Sequence, residues 1–322
     1  MRSVSADDID RALTYPALID ALEQAFRADI EVPPRHHHTI ARDGAHGTLL
    51  MMPAWTESSN PGRFLGCKIV TVFPDNAKVG RPSLYGSYLL ASGETGEPLA
   101  IMDGRALTAW RTGAASALAA RYLARADAAH LVMIGAGALA PHLVRAHAAV
   151  RPITRVTLWN RTRGKAVALA FGLAVSGIEI TVTDDLEGAV RDADIVSCAT
   201  LSSEPLVRGA WLRRGTHVDL VGGFTPKMRE ADDQAVRRAR LYVDTRAGAG
   251  KEAGDIVVPL RRGVITQADI RGDLFDLCRG KVKGRTSATQ ITLFKSVGTA
   301  IEDLAAAILI WTSLPGRPEA MI

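Results

Sequence analysis

The sequence has little cysteine and no long apolar run, and each shortage excludes a class of protein. Only three of its 322 residues are cysteines, they lie far apart, and none forms a C-x-x-C pair. This excludes a disulfide scaffold and a cysteine-based zinc site. No stretch of about 18 apolar residues suggests a membrane-spanning helix. The acidic N-terminal residues lack the apolar core of a secretion signal. We therefore expect a cytoplasmic protein with reduced thiols.

Excess charge of one sign is also missing. The chain has 39 Lys and Arg against 34 Asp and Glu, a net charge of +5, and the basic residues are dispersed. Without a polybasic run, neither a nucleic acid nor a membrane is expected as a partner. The hydrophobic fraction of 47% is sufficient for a sizeable core, and the length suggests about two domains.

The stretch from His130 to Ala140 carries the strongest signal in the sequence. Four apolar residues, 131–134, are typical of a buried parallel strand. They run into Gly135-Ala136-Gly137-Ala138-Leu139-Ala140, which matches the G-x-G-x-x-G/A turn that opens a dinucleotide-binding helix. In that turn the first glycine permits the tight bend and the second lets the backbone approach a pyrophosphate. The helix N-terminus then offers N–H groups to the phosphates.

The next predicted strand, Arg155–Trp159, follows at the spacing of a βαβ unit and ends in Asn160-Arg161-Thr162. Folds that prefer NAD usually have an acidic residue at this position, which binds the ribose 2′-hydroxyl. An acidic side chain would repel the 2′-phosphate that distinguishes NADP(H) from NAD(H), whereas the guanidinium of Arg161 would pair with it. We therefore predict NADP(H) as the preferred cofactor, with NAD(H) possible.

Short strands are predicted on both sides of this unit. Residues 46–90 alternate apolar runs with turns, which favours an antiparallel sheet. Lys68 lies inside one apolar run, where it either snorkels from an edge strand or faces a polar cavity.

The triple histidine 36–38 has no acidic or cysteine partners that would complete a metal site, and no metal site is predicted. Asp103 is expected to cap a helix from Arg105 to Ala124. After the glycine turn and its partner strand, further strands are predicted at 179–182, 195–199, 217–221 and 241–244.

The chain resembles the ornithine cyclodeaminase and mu-crystallin family along nearly its whole length. The resemblance rests on the following segments: Met51-Met52-Pro53-Ala54-Trp55, Lys68 in a Gly-x-Lys strand, 95–104, Leu107-Thr108-Ala109-Trp110-Arg111-Thr112, the glycine turn, Asn160-Arg161-Thr162 and Leu293-Phe294-Lys295-Ser296-Val297-Gly298.

The resemblance implies an α/β protein that forms a homodimer. One part is a Rossmann-type, doubly wound nucleotide-binding domain, residues 113–298. The other is an α+β substrate-binding and dimerisation domain built from both chain ends, residues 1–112 and 299–322. The final helix, which ends near Trp311, is expected to pack on the first domain.

The resemblance also implies that Arg35, Lys68 and Arg111 hold a substrate carboxylate, as three cations can. Lys68 and Arg111 are the candidate catalytic residues, with Lys68 the candidate proton donor. Assigned to the cofactor are Gly135, Ala136, Gly137, Ala138, Leu139, Ala140, Asn160, Arg161, Thr162, Thr112, Thr200, Ser296 and Val297.

Two departures from the family pattern bear on the substrate. Ornithine cyclodeaminases carry a glutamate where this chain has Leu50, and an aspartate where it has Phe224. Without those carboxylates a distal ammonium would be buried unpaired, which is costly. The segment from Gly223 to Glu230 instead resembles the bacterial cyclic-imine reductases of the family, and an apolar pocket at Leu50 and Phe224 suits ring methylenes.

The predicted activity is therefore NADPH-dependent reduction of Δ1-pyrroline-2-carboxylate or Δ1-piperideine-2-carboxylate, giving L-proline or L-pipecolate. The ring size stays open because one methylene is worth only about 1–3 kcal/mol in an apolar pocket. Ornithine cyclodeamination and an alanine-type dehydrogenase are the alternatives within the family. A mu-crystallin-like protein that binds NADPH without catalysis is the alternative from another class.

Overall fold

The computed structural model describes residues 1–57, 63–173 and 177–315, apart from the side chain of Ala77. Within these residues the chain forms two compact units. Unit 1 is Met1–Arg111 together with the chain from Thr299 onward, and unit 2 is Thr112–Gly298. The division lies one residue before the boundary expected from the sequence.

Unit 1 combines a mixed sheet with helices from both ends of the chain. Its strands are β1 Arg2–Val4, β2 Ile30–Glu31, β3 His36–Ile40, β4 Gly47–Thr56, β5 Phe64–Val72, β6 Leu84–Ser92 and β7 Pro98–Asp103. Its helices are α1 Ala6–Ala12, α2 Tyr15–Arg27, the start of α3 Gly104–Leu123, and α11 Ala300–Ser313, with a 3-10 turn at Pro74–Val79.

The described strands of unit 1 pair in the order β1-β7-β6-β5-β4-β2, with β3 also on β4. All pairs from β2 to β7 are antiparallel, which confirms the predicted antiparallel sheet, and β1 adds in parallel to β7. Helix α11 packs against α2 and against strands β4, β5 and β6, as expected for the final helix. Asp103 Oδ1 accepts hydrogen bonds from the N–H groups of Arg105 and Ala106, so it caps α3 as predicted.

Unit 2 alternates strands and helices. Its strands are β8 His130–Ile134, β9 Arg155–Trp159, β10 Glu179–Val182, β11 Ile195–Cys198, β12 His217–Leu220, β13 Arg240–Val243, β14 Ile270–Asp273 and β15 Thr292–Lys295. Its helices, besides the rest of α3, are α4 Ala140–Val150, α5 Arg163–Gly172, α6 Leu186–Asp192, α7 Asp233–Arg238, α8 Arg246–Glu252, α9 Gly254–Arg261 and α10 Leu274–Cys278, with 3-10 turns at Gly209–Trp211 and Gln267–Asp269.

These strands form one parallel sheet in the order β10-β9-β8-β11-β12-β15-β13-β14. Along β8, Val132 and Ile134 pack into one apolar core and Leu131 and Met133 into another. Because successive strand residues point to opposite faces, the sheet is buried on both sides. This is the doubly wound Rossmann architecture that was predicted. Strand order reverses between β8 and β11, and ligands bind at such a switch point in open α/β sheets.

Among the described residues, the sheet contains two strands beyond the six predicted. Strand β14, Ile-Arg-Gly-Asp, has one apolar residue and lies at an edge, so it carries no burial signal. Strand β15 lies between β12 and β13 and ends at the fully buried Lys295. A lysine at the end of so short a strand interrupts the apolar run by which a central strand is recognised in a sequence.

Candidate active site

The glycine turn forms one wall of a cleft in unit 2 of about 450 Å³. Gly135 has a φ of +106°, and a Cβ there would lie 2.5 Å from the Ala199 carbonyl oxygen, so only glycine fits at this junction. A Cβ at Gly137 would meet no described atom within 4 Å, so the backbone faces open space. No described side chain caps the start of α4. The N–H groups at this helix start can therefore bind an anion.

The tip of β9 forms a second wall of the same cleft. Asn160, Arg161, Thr162 and Lys165 line it. Asn160 Oδ1 accepts a hydrogen bond from Ala136 N–H, and its Nδ2 donates to the Thr162 carbonyl. The asparagine therefore ties the strand tip to the glycine turn. The arginine and the lysine are exposed at the rim, where they add positive charge.

The third wall is formed by the loops that follow β11 and β12, and Glu230 holds both of them. Its Oε1 accepts hydrogen bonds from Thr200 N–H (2.7 Å) and Oγ1 (2.8 Å), and its Oε2 accepts from Gly222 N–H (2.7 Å) and Gly223 N–H (3.3 Å). The carboxylate is fully buried. No local pattern predicts this role, because Glu230 lies in a loop and is separated by 7 to 30 residues from the groups that it binds.

Glu230 belongs to a buried charge cluster. Asp255 Oδ1 accepts from the N–H groups of Glu230 and Ala231, and Lys295 Nζ lies 3.5 Å from Asp255 Oδ2 and 4.0 Å from Glu230 Oε2. Burial raises the pKa of Glu230, and the Lys295 charge opposes that rise. Lys295 therefore stabilises two carboxylates beneath the cleft.

Unit 1 contains a second buried charge cluster, and it includes two of the predicted substrate cations. Lys68 Nζ lies 2.9 Å from Asp303 Oδ1 and 2.7 Å from Oδ2. Arg111 donates from Nε to Asp303 Oδ1 (3.0 Å) and from Nη1 to Glu302 Oε2 (2.6 Å). Lys68 neither snorkels nor lies on an edge, since β5 is central in the described sheet and the residue is only 3% exposed. It is half of a buried ion pair.

Burial lowers the pKa of Lys68 to about 8, an effect increased by Arg111 and opposed by Asp303. Tyr88 lies opposite Lys68 on β6, and burial raises its pKa well above its ordinary value, so it is neutral. Glu302 and Asp303 were missed in the sequence because acidic residues in the first turn of a helix are ordinarily solvated partners of its dipole.

The other predicted site residues are divided between the two units. Arg35 is half-buried just before β3, and Leu50 on β4 points to the same sheet face as Met52, which pairs with Lys68. Phe224 is 46% exposed and lines the unit 2 cleft.

The remaining three cofactor candidates also lie in unit 2. Thr112 is buried in α3. Ser296 N–H donates to the Leu220 carbonyl, and Val297 N–H donates to Asp244 Oδ2.

Two further observations concern metals and membranes. Over the described ranges, no three His, Cys, Asp or Glu side chains come together as metal ligands would. His36 and His38 share a face of β3, with stacked rings whose centroids lie 6.4 Å apart. In the same ranges no helix is both long enough and apolar enough to cross a bilayer.

Residues 3–317 match the model of the ornithine cyclodeaminase/mu-crystallin family. The chain belongs to this family. Within it, the chain is 40% identical to the Δ1-pyrroline-2-carboxylate reductase of Paracoccus denitrificans, over 97% of each chain.

Two solved structures agree with this membership. The Δ1-pyrroline-2-carboxylate reductase of Thermococcus litoralis, in complex with NADH and L-proline, is 37% identical and superposes with a TM-score of 0.90 over 97% of each chain. An archaeal alanine dehydrogenase dimer with bound NAD is 30% identical, with a TM-score of 0.88 over 97% of this chain and 95% of the other.

Proposed function

We propose that this family member reduces a cyclic imino acid, Δ1-pyrroline-2-carboxylate or Δ1-piperideine-2-carboxylate, to L-proline or L-pipecolate. The observation that carries the proposal is that Lys68 and Arg111 lie in one buried cluster, where both donate to Asp303 Oδ1. Reductases with 37–40% identity over 97% of the chain support the reaction, and one of them binds L-proline.

In the proposed reaction the chain binds and orients its ligands. Arg111 and Lys68, with Arg35, hold the carboxylate by charge-assisted hydrogen bonds. Leu50 contacts the ring methylenes, and Phe224 lines the cleft of unit 2. The glycine turn and the start of α4 hold the cofactor phosphates. When bound, a reduced nicotinamide supplies the hydride. Fixing both ligands lowers the entropic part of the barrier.

The activity is tested by following NADPH absorbance with each cyclic imine and identifying the amino acid formed. Proline or pipecolate as product would support the proposal. Ammonia release from ornithine with NAD, and no reaction with either imine, would overturn it in favour of a cyclodeaminase. Pyruvate reduction that requires ammonia would favour an alanine-type dehydrogenase. NADPH binding without turnover of any of these substrates would favour a mu-crystallin-like binding protein.

We propose NADP(H) as the preferred cofactor, on the strength of Arg161 and Lys165 at the cleft rim. The bound NADH and NAD of the solved relatives support a nicotinamide cofactor, reduced or oxidised, and neither of them carries a 2′-phosphate. Arg163 differs from Arg161 because its Nη1 lies 2.7 Å from Asp184 Oδ2. It therefore offers a matched control.

Arg161→Ala is expected to raise the Kd for NADPH about tenfold and to leave the Kd for NADH nearly unchanged, because only NADPH carries the 2′-phosphate. Arg163→Ala should change neither constant appreciably. Fluorescence titration of each variant with both cofactors measures the effect. Equal losses of affinity for NADPH and NADH in Arg161→Ala would contradict the assignment of Arg161 to the 2′-phosphate.

We also propose that the chain forms a homodimer through the outer face of the unit 1 sheet. Trp55, Leu65, Ile69 and Ile101 are each 37–40% exposed, and Trp55 pairs directly with Leu65. Contiguous exposed apolar side chains mark interaction surfaces. The dimer of the archaeal alanine dehydrogenase supports a second copy as the partner.

A charge placed on this face should separate the protomers. Leu65→Lys combined with Ile69→Lys is expected to give a monomer in light scattering after gel filtration, because two lysines would be buried unpaired in the interface. Phe171→Lys is the control, since Phe171 is 88% exposed in unit 2 and should not alter the mass. A variant on the sheet face that remains dimeric would place the interface elsewhere.

A further inference from the structure

The edge strand β3 of unit 1 presents two imidazoles side by side. His36 and His38 are two residues apart on this strand, so their side chains point to the same face of the sheet. Their rings are nearly parallel, with an interplanar angle of 5° and centroids 6.4 Å apart. Both residues are exposed. His37, between them, points to the opposite face.

The register of the sheet adds a thioether to this pair. His36 pairs with Met51 of β4. Side chains of directly paired antiparallel residues lie on the same face, with their Cβ atoms about 4.5–5.5 Å apart. His38 is the diagonal neighbour of Met51, at about 7–8 Å, a separation that long side chains bridge. Two ring nitrogens and one sulfur are therefore available in one small area of the sheet face.

These three donors are not engaged by the rest of the described chain. Between residues 1–57, 63–173 and 177–315, neither His36 nor His38 is hydrogen-bonded or ion-paired through its ring, and no third His, Cys, Asp or Glu joins them. The donor set is therefore two imidazoles and a thioether, all of them uncharged. Imidazole suits copper and zinc, whereas a thioether is a soft ligand that selects Cu(I).

We propose that His36, His38 and Met51 bind a Cu(I) ion on the outer face of the unit 1 sheet. Exposed imidazoles rotate freely about their side-chain bonds, so each can bring one nitrogen to about 2 Å from a shared metal ion. Met51 pairs with Ile69, so the site borders the proposed dimer face. The inference does not depend on imine reduction, and either can fail without the other.

The test is an anaerobic titration of the untagged protein with Cu(I) in competition with bicinchoninate, whose Cu(I) complex is coloured. We expect the wild-type protein to bind Cu(I). Met51→Leu removes the sulfur and keeps an apolar side chain, so it should raise the Kd for Cu(I) about tenfold or more. It should leave the Kd for Zn²⁺ nearly unchanged, because the two imidazoles remain. His36→Asn and His38→Asn should each weaken binding of both metals by about tenfold or more.

Two control variants accompany these three. His37→Asn removes an exposed imidazole from the same tract but from the opposite face, and it should change neither Kd. Cys67→Ser tests a competing ligand, because a thiol also binds Cu(I) and Cys67 is half-buried on β5. It should leave the Kd for Cu(I) unchanged as well.

Several results would overturn the inference. Absence of Cu(I) binding by the wild-type protein does so directly, and an unchanged Kd in Met51→Leu shows that the sulfur is not a ligand. Loss of binding in Cys67→Ser places the copper on a thiol. A loss in His37→Asn as large as in the other two histidine variants indicates a flexible polyhistidine rather than one face of a strand. Binding only by the Leu65→Lys, Ile69→Lys variant means that a second copy covers the site.

Discussion

Arg111→Ala is expected to lower kcat/KM for the cyclic imine by about a thousandfold. Hydrogen bonds to charged groups contribute about 1.5–3 kcal/mol each, and the guanidinium is proposed to make two to the substrate carboxylate. A difference of about 1.4 kcal/mol corresponds to a factor of ten in rate or affinity. Steady-state kinetics with varied imine at saturating NADPH measures the loss.

The same substitution also disturbs the fold. Arg111 donates to Glu302 and Asp303, and breaking a buried ion pair by removing one partner costs about 3–5 kcal/mol. A lower activity alone therefore does not identify a substrate contact. The double variant Arg111→Met with Glu302→Gln restores the charge balance of the cluster without restoring a carboxylate-binding guanidinium.

We expect this double variant to regain much of the thermal stability that Arg111→Ala loses, and to remain as inactive. Arg111→Lys keeps the charge but loses the planar fork, so it should fall between wild type and Arg111→Ala in kcat/KM. Circular dichroism melting and kinetics on the same preparations separate the two effects. Near-normal kcat/KM in the folded double variant would show that Arg111 does not hold the substrate.

Lys295→Met is expected to destabilise the protein by about 3–5 kcal/mol, because it leaves two fully buried carboxylates without their cation. Lys295 Nζ lies 3.5 Å from Asp255 Oδ2 and 4.0 Å from Glu230 Oε2. Since Glu230 holds the loops at Thr200 and at Gly222, we also expect weaker cofactor binding in any protein that remains folded. Urea unfolding gives the stability, and fluorescence titration gives the cofactor Kd.

The destabilisation should depend on pH in a defined direction. The pKa of Glu230 is raised in the folded protein, and loss of Lys295 removes a cause that holds it down. Between the ordinary and the raised pKa, the folded state keeps a proton that the unfolded state has released, so stability falls as pH rises. The variant should therefore lose more stability relative to wild type at about pH 8 than at about pH 5.

A second substitution provides the control for this prediction. Asp255→Asn keeps an Oδ1 acceptor for the N–H groups of Glu230 and Ala231 but removes one buried charge. Combined with Lys295→Met, it should recover part of the lost stability. The same destabilisation at both pH values, or no recovery in the double variant, would mean that packing of the lysine stem matters more than its charge.

Local sequence determined much of the cofactor-binding unit. A short apolar run followed by Gly135 and Gly137 specifies the strand, turn and helix through backbone sterics alone. Strands β9 and β11 were predicted nearly to their ends because apolar runs on both faces of a parallel sheet leave a strong pattern. Strand β14 was missed because an edge strand with one apolar residue leaves no such pattern in the sequence.

The resemblance to a family placed Lys68 and Arg111 at one site, and the fold brings them together through Asp303. Their partners could not be read from the chain. Glu302 and Asp303 lie about 190 to 235 residues away from these cations. Lys68 in β5 also could not be assigned to a pocket or an edge before its neighbours in the sheet were known.

The sequence by itself determined the doubly wound fold, the glycine turn and the cations of the candidate site, because each depends on local backbone geometry or on residue identity within a motif. Only the tertiary structure decided which carboxylates pair with Lys68 and Arg111 and what supports the cleft from below. Both depend on buried carboxylates, Glu302 and Asp303 in one unit and Glu230 and Asp255 in the other. Nothing in their local sequence distinguishes them from solvated surface acids, because a charge becomes energetically decisive only when folding removes it from water.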